Sequence, residues 1–115
     1  MHEYSLANNL IEILREQKKE KKAKKILKVE LDFGKLSGAE PFLFEEAFEI
    51  LKKETEFKET ELKINIIEPE IKCLKCGKIF NALSFPFLCP FCENFGGEII
   101  KGDKIFIKSL VIENF

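Results

Sequence analysis

Apolar side chains recur at helical spacing near the start of the chain, at Leu6, Leu10, Ile13 and Leu14, with polar residues between them. This spacing predicts an amphipathic helix from about Ser5 to the lysine-rich end at Lys22. From 27 to 33 the period changes to two. Leu27, Val29, Leu31 and Phe33 fall on one face and Lys28, Glu30 and Asp32 on the other, as in a half-buried strand that Gly34 ends. The turn Gly34-Lys35-Leu36-Ser37-Gly38 leads to a second helix. Pro41 suits its first turn, Phe44, Ala47, Phe48 and Leu51 form its apolar stripe, and it should end near Thr55. A polar loop with four acidic residues follows, from Glu54 to Glu61. Leu62, Ile64 and Ile66 then alternate with Lys63 and Asn65 until Pro69 removes a backbone donor. Lys104 to Glu113 reads as a last strand, with Ile105, Ile107 and Val111 on one face, Phe106, Leu110 and Ile112 on the other, and both faces partly covered.

This order predicts an α+β fold: a small, mainly antiparallel sheet of about three strands layered with two helices, and a cysteine-bearing lobe inserted before the last strand. Residues 1–70 and 101–115 would form the main domain and residues 71–100 the lobe. A chain of 115 residues accommodates one compact domain with a small appendage. The composition, 45% apolar and 34% charged, excludes disorder as the default. Nineteen basic residues against 20 acidic ones leave a net charge of −1, so no global field draws the chain onto nucleic acid or anionic lipid. Residues 15–28 carry eight basic and two acidic side chains. Lysines there complement a helix C-terminus, and no aromatic interleaves with them to stack bases. No apolar run is long enough to span a membrane and no cleavable leader is visible, so a cytoplasmic location is expected.

Two cysteine pairs carry the first specific chemistry: Cys73-Leu74-Lys75-Cys76 and Cys89-Pro90-Phe91-Cys92, with twelve residues between them. In a reducing compartment this spacing reads as a closed, tetrahedral zinc site made of four cysteines, a zinc ribbon. Thiolates also suit iron, so a rubredoxin-like centre stays open. A thiol redox enzyme would instead place one such pair on a βαβ frame. With no open position the metal is structural, and the roughly thirty residues around it are too few to bury an independent core, so metal binding should supply much of their folding free energy. Gly77 supplies the turn after the first pair. After the second pair Glu93 is poorly suited, and Asn94, Gly96 or Gly97 is expected to take the unusual backbone angles.

The one histidine is His2, which leaves no Ser/His/Asp or Cys/His constellation, and no phosphate-binding glycine loop occurs. The chain is not expected to be an enzyme. A histidine at position 2 can close adjacent chelate rings through the amine of Met1, its own amide nitrogen and imidazole Nδ1. Three coplanar nitrogens suit Ni(II) or Cu(II) and leave a fourth position for Glu3, water or a partner's group. On residue types alone, a frayed terminus with an idle imidazole is the simpler alternative.

Met1-His2-Glu3, the run Val29-Glu30-Leu31-Asp32-Phe33-Gly34-Lys35-Leu36-Ser37-Gly38, Phe44-Glu45-Glu46-Ala47-Phe48 and the two cysteine pairs occur in one order, and in this the chain resembles the HypA proteins over essentially its whole length. That resemblance implies a nickel metallochaperone. It would hold Ni(II) as transient cargo at His2 with Met1 and Glu3 as neighbours, and structural zinc on Cys73, Cys76, Cys89 and Cys92. It also implies the GTPase HypB and the large subunit of [NiFe]-hydrogenase as partners, with urease maturation proteins served by some members. Two departures stand out: Glu93 replaces the family's usual glycine after the second pair, and no histidine flanks the ribbon. A nickel shell without a second imidazole would be weaker and better suited to transfer than to storage. The competing reading is a zinc-ribbon interaction module without nickel function.

Overall fold

A computed structural model describes residues 2–82 and 86–115. Among the described residues, two helices and six strands follow one another as α1 (His2–Glu20), β1 (Lys25–Gly34), α2 (Pro41–Lys52), β2 (Glu61–Ile67), β3 (Glu70–Cys73), β4 (Ile79–Phe80), β5 (Gly97–Lys101) and β6 (Ile105–Glu113). They form two three-stranded sheets, ordered β2-β1-β6 and β4-β3-β5. The chain divides into two compact units: Met1–Leu31, Ala39–Asn65 and Ile107–Phe115 make the first, and Asp32–Gly38 with Ile66–Phe106 the second.

In the first unit α1 and α2 bury Ala7, Leu10, Ile11, Leu14, Phe44, Ala47 and Phe48 together with Val29 and Leu31 of β1. Each fully buried ring, such as Phe44 or Phe48, contributes roughly 2–3 kcal/mol of apolar burial. Helix α1 starts at His2, three residues before the expected start, and its inward face is turned from the expected one. Ala7 and Ile11 are buried, whereas Ile13 is 42% exposed. The helix closes with a Schellman arrangement: Lys22 takes φ 51, Lys22 N–H bonds the Lys19 carbonyl, and the buried Ala23 donates to the Lys18 carbonyl.

Strand β1 also departs from strict alternation, since Ile26 is buried and Leu27 exposed. The Ile26 carbonyl accepts a 2.7 Å hydrogen bond from the buried Thr60 hydroxyl. The Asn65 amide donates to Glu30 at 2.7 Å. The contacts thus ascend together on both strands, so β2 runs parallel to β1 after the α2 crossover. β6 runs the other way: Lys24 N–H meets the Glu113 carbonyl, and the Ser109 hydroxyl meets Glu30. Half-buried positions on β6 are Ile105, Ile107, Leu110 and Ile112, so the inward phase changes at Lys108–Ser109, while Phe106 and Val111 are exposed. The expected polar loop after α2 is anchored from within, because Phe57 and Thr60 are both buried.

In the second unit β3 pairs antiparallel with both β4 and β5. Its core is Ile71, Cys73, Phe80, Phe87 and Cys89, against which Leu36, Ala82, Cys92 and Ile99 pack. Gly97 lies opposite Cys73, where a Cβ would run into the Ile71 side chain, so only glycine lets β5 close on this core. Among the described residues no helix is long and apolar enough to cross a membrane.

Candidate metal centre

Each cysteine pair forms a tight knuckle, and the two knuckles share one pattern. Gly77 N–H donates to the Cys73 carbonyl at 3.0 Å, and Glu93 N–H donates to the Cys89 carbonyl at 2.9 Å. Lys75 N–H points at Cys73 Sγ and Phe91 N–H at Cys89 Sγ, both at 3.4 Å. The residue closing each turn takes left-handed angles: φ is 77 at Gly77 and 60 at Glu93. Glu93 itself, rather than only a later asparagine or glycine, therefore carries the strained conformation. Equivalent hydrogen bonding in both knuckles demands it, at a cost that glycine would not incur.

The four cysteines bring their sulfurs within 4.8 Å of one another. Cys73 and Cys92 lie 3.6 Å apart, as do Cys76 and Cys89 at 3.7 Å. These separations are far longer than a disulfide bond. A tetrahedral ion with metal–sulfur bonds of about 2.3 Å sets neighbouring sulfurs about 3.8 Å apart, so the donor set fits zinc. Cys73 and Cys89 are buried, Cys92 is half-buried and Cys76 is exposed. The amide of Asn94, through its side chain and then its backbone, draws the Cys92 thiol down to about 6. The backbone N–H groups of Cys76 and Lys75 lower Cys73 as well. At Cys76 the Lys78 N–H pulls downward, but desolvation and the neighbouring thiols outweigh it and push the group up to about 11. Four thiolates this close repel one another, and a divalent cation relieves that repulsion.

The N-terminal candidates are arranged differently. Met1 lies outside the described residues. His2 is exposed at the start of α1, and Glu3 follows it in the first turn. The Glu3 carboxylate accepts the backbone N–H of Glu40 at 3.1 Å, which holds its pKa below the usual carboxylate value. Glu40 is the N-cap of α2, and its own carboxylate accepts Leu43 N–H at 2.8 Å. Glu40 was not legible as a neighbour of the N-terminus. The only sequence signal was an acidic residue before Pro41, in the position of a cap. Among the described residues, the four cysteines are the one group of three or more His, Cys, Asp or Glu residues that could hold a metal ion.

The family model described as "Hydrogenase/urease nickel incorporation, metallochaperone, hypA" matches residues 1–112. The chain is 38% identical over 113 residues to a hydrogenase maturation factor HypA from Aquifex aeolicus, covering 98% of each. It is 35% identical over 114 residues to its namesake from Caldanaerobacter subterraneus, covering 98% of this chain and 100% of the relative. Its structure is similar to the solution structure of the Ni metallochaperone HypA from Helicobacter pylori, with a TM-score of 0.73, 28% identity and 98% of each chain covered. A second similar structure, titled as the solution structure of HypA protein, gives a TM-score of 0.71 at 32% identity, covering 97% of this chain and 96% of that one.

Proposed function

Because the chain belongs to the HypA family of hydrogenase and urease nickel-incorporation metallochaperones, we propose that it carries Ni(II) on its first residues and delivers it to the large subunit of [NiFe]-hydrogenase. It is a maturation factor and not an enzyme. The observation that carries the nickel proposal is the start of α1 at His2. The first four N–H groups of a helix have no acceptor within it, so the His2 amide nitrogen can give up its proton to solvent and become a ligand without breaking a helical hydrogen bond. The Met1 amine, this nitrogen and the His2 imidazole Nδ1 then supply three donors in one plane. Glu3 supplies negative charge beside the ion, which offsets the positive end of the helix dipole.

The labour is divided between residues 1–70 and 101–115, which carry the cargo, and residues 71–100, whose four cysteines hold zinc. Zinc bound there would offset two of the four thiolate charges and would tie both knuckles to one centre. Delivery is ligand exchange. A partner's donor takes the open position, and the imidazole, the amine and the amide nitrogen leave stepwise, the amide regaining the proton it gave up on binding. HypB and the hydrogenase large subunit are the proposed partners, with urease maturation proteins a further destination. The place of action is the cytoplasm.

Replacing His2 with Ala tests the assignment. Nickel affinity should fall by more than about 100-fold, since loss of an outer partner alone costs 10–100-fold, while one zinc per chain is retained. X-ray absorption that placed bound nickel wholly among sulfur donors would overturn the proposal.

A further inference from the structure

We propose that the outer face of α2 is a docking surface for a basic amphipathic helix of a partner protein. The inner face of α2 buries Phe44, Ala47 and Phe48. At about 100° per residue the opposite face carries Phe42, Glu45, Glu46, Glu49 and Ile50, and these five side chains line one shallow depression. Phe42 is 66% exposed and Ile50 52%. Single exposed apolar residues need no explanation, but two at opposite ends of one acidic depression form a patch with anchors and a rim. Glu49 is neutralised in part by Lys52 at 2.8 Å. Glu45 and Glu46 make no ion pair among the described residues and are exposed.

The charge decides the occupant. Nucleic acid and anionic lipid are repelled by three glutamates, and a second copy docking α2 against α2 would set three glutamates against three. A helix with apolar side chains about 12 Å apart and lysine or arginine beside them satisfies both the anchors and the rim. The near end of the face, at Phe42, is two residues from Glu40, whose N–H is held by Glu3. A partner seated there lies beside the first turn of α1. The docking surface itself does not depend on what metal that turn binds.

The test uses the full-length, zinc-loaded protein and a fluorescent synthetic peptide of about 16 residues, with leucines along one helical face and lysines flanking them. A scrambled peptide of the same composition serves as control. Anisotropy should show binding that weakens with salt and falls at least about tenfold in Phe42→Ala/Ile50→Ala and in Glu45→Gln/Glu46→Gln/Glu49→Gln. Binding should persist in Glu16→Gln/Glu20→Gln/Glu98→Gln, which removes the same charge elsewhere. If the apolar double variant fails to fold, the glutamine triple variant decides. No binding by the native protein, equal binding of the scrambled peptide, or equal binding by all variants would overturn the proposal. So would a native dimer that dissociates in the Phe42/Ile50 variant, which would give the face to a second copy.

Discussion

Glu3 and Glu40 are 37 residues apart in the chain, yet the carboxylate of the first accepts the backbone N–H of the second at 3.1 Å. The start of α1 is thereby tied to the N-cap of α2 through one carboxylate oxygen, and an ion that turns the Glu3 carboxylate toward itself would loosen that tie. Glu3→Ala should remove the hydrogen-exchange protection of the Glu40 amide, whereas Glu3→Gln, which keeps an acceptor oxygen, should retain most of it. Nickel added to the native protein should speed exchange at Glu40 if Glu3 turns to the metal. Equal exchange in all three proteins would show that the contact does not persist in solution.

Glu93 holds φ 60 in the position where Gly77 holds 77 in the other knuckle. Glu93→Gly should therefore stabilise the zinc-loaded lobe by about 1 kcal/mol, the relieved strain exceeding the added flexibility of the unfolded chain. Chelator-challenge midpoints compare the two proteins. A glycine variant that loses zinc more readily would show that the Glu93 side chain contributes more than its strain costs.

Removing the metal should undo the second unit selectively. Its small core is built around Cys73 and Cys89, and the ion is what offsets the repulsion of four thiolates. After chelation, amide dispersion should collapse for β3, β4 and β5 while α1 and α2 keep their helical signals. Native dispersion across residues 71–100 in zinc-free protein would contradict a structural role for the metal. Because thiols must lose protons to bind, zinc retention should also weaken in acid.

The cysteine site was readable because its ligands are local, of one residue type and at fixed spacing. The helices and long strands were readable from period alone, but their inward faces were less so. Ala7 and Ile11 join Leu10 and Leu14 on the buried face of α1 while Ile13 faces outward, and Ile26 replaces Leu27 in β1, because tight packing selects shape as well as apolarity. The short strands β3, β4 and β5 leave no periodic signal in the sequence. Two to five residues hold too little period to detect, and pairing across the cysteine knuckles organises them. Glu40 escaped because its meeting with Glu3 is purely tertiary, as did the burial of Phe57 and Thr60 within an acidic loop.

Arg15 holds Glu56 through two hydrogen bonds of 2.9 Å and, as the largest influence on it, draws its pKa from 4.5 down to about 2. A depressed carboxylate adds stability that is fully present above the unfolded value and lost as pH falls through the folded one. The pair's contribution should thus persist at neutral pH and disappear between about 4.5 and 2. Both side chains are more than a third exposed, so the effect is small and screened by salt. Urea midpoints of native and Glu56→Gln protein should differ at pH 7 and converge near pH 2. A constant difference across that range would assign the effect to packing.

We propose that the amine of Met1 and the imidazole of His2 act as one chelate, distinct from the sulfur cluster. Calorimetric titration of nickel into zinc-loaded protein, with and without one extra residue before Met1, isolates the role of the amine. Moving the amine should weaken nickel binding by more than about 100-fold. Native binding should also weaken as pH falls below the amine's usual value of about 7.7–8.0, where its proton competes with the metal. Unchanged nickel affinity in the extended protein would rule out the terminal chelate.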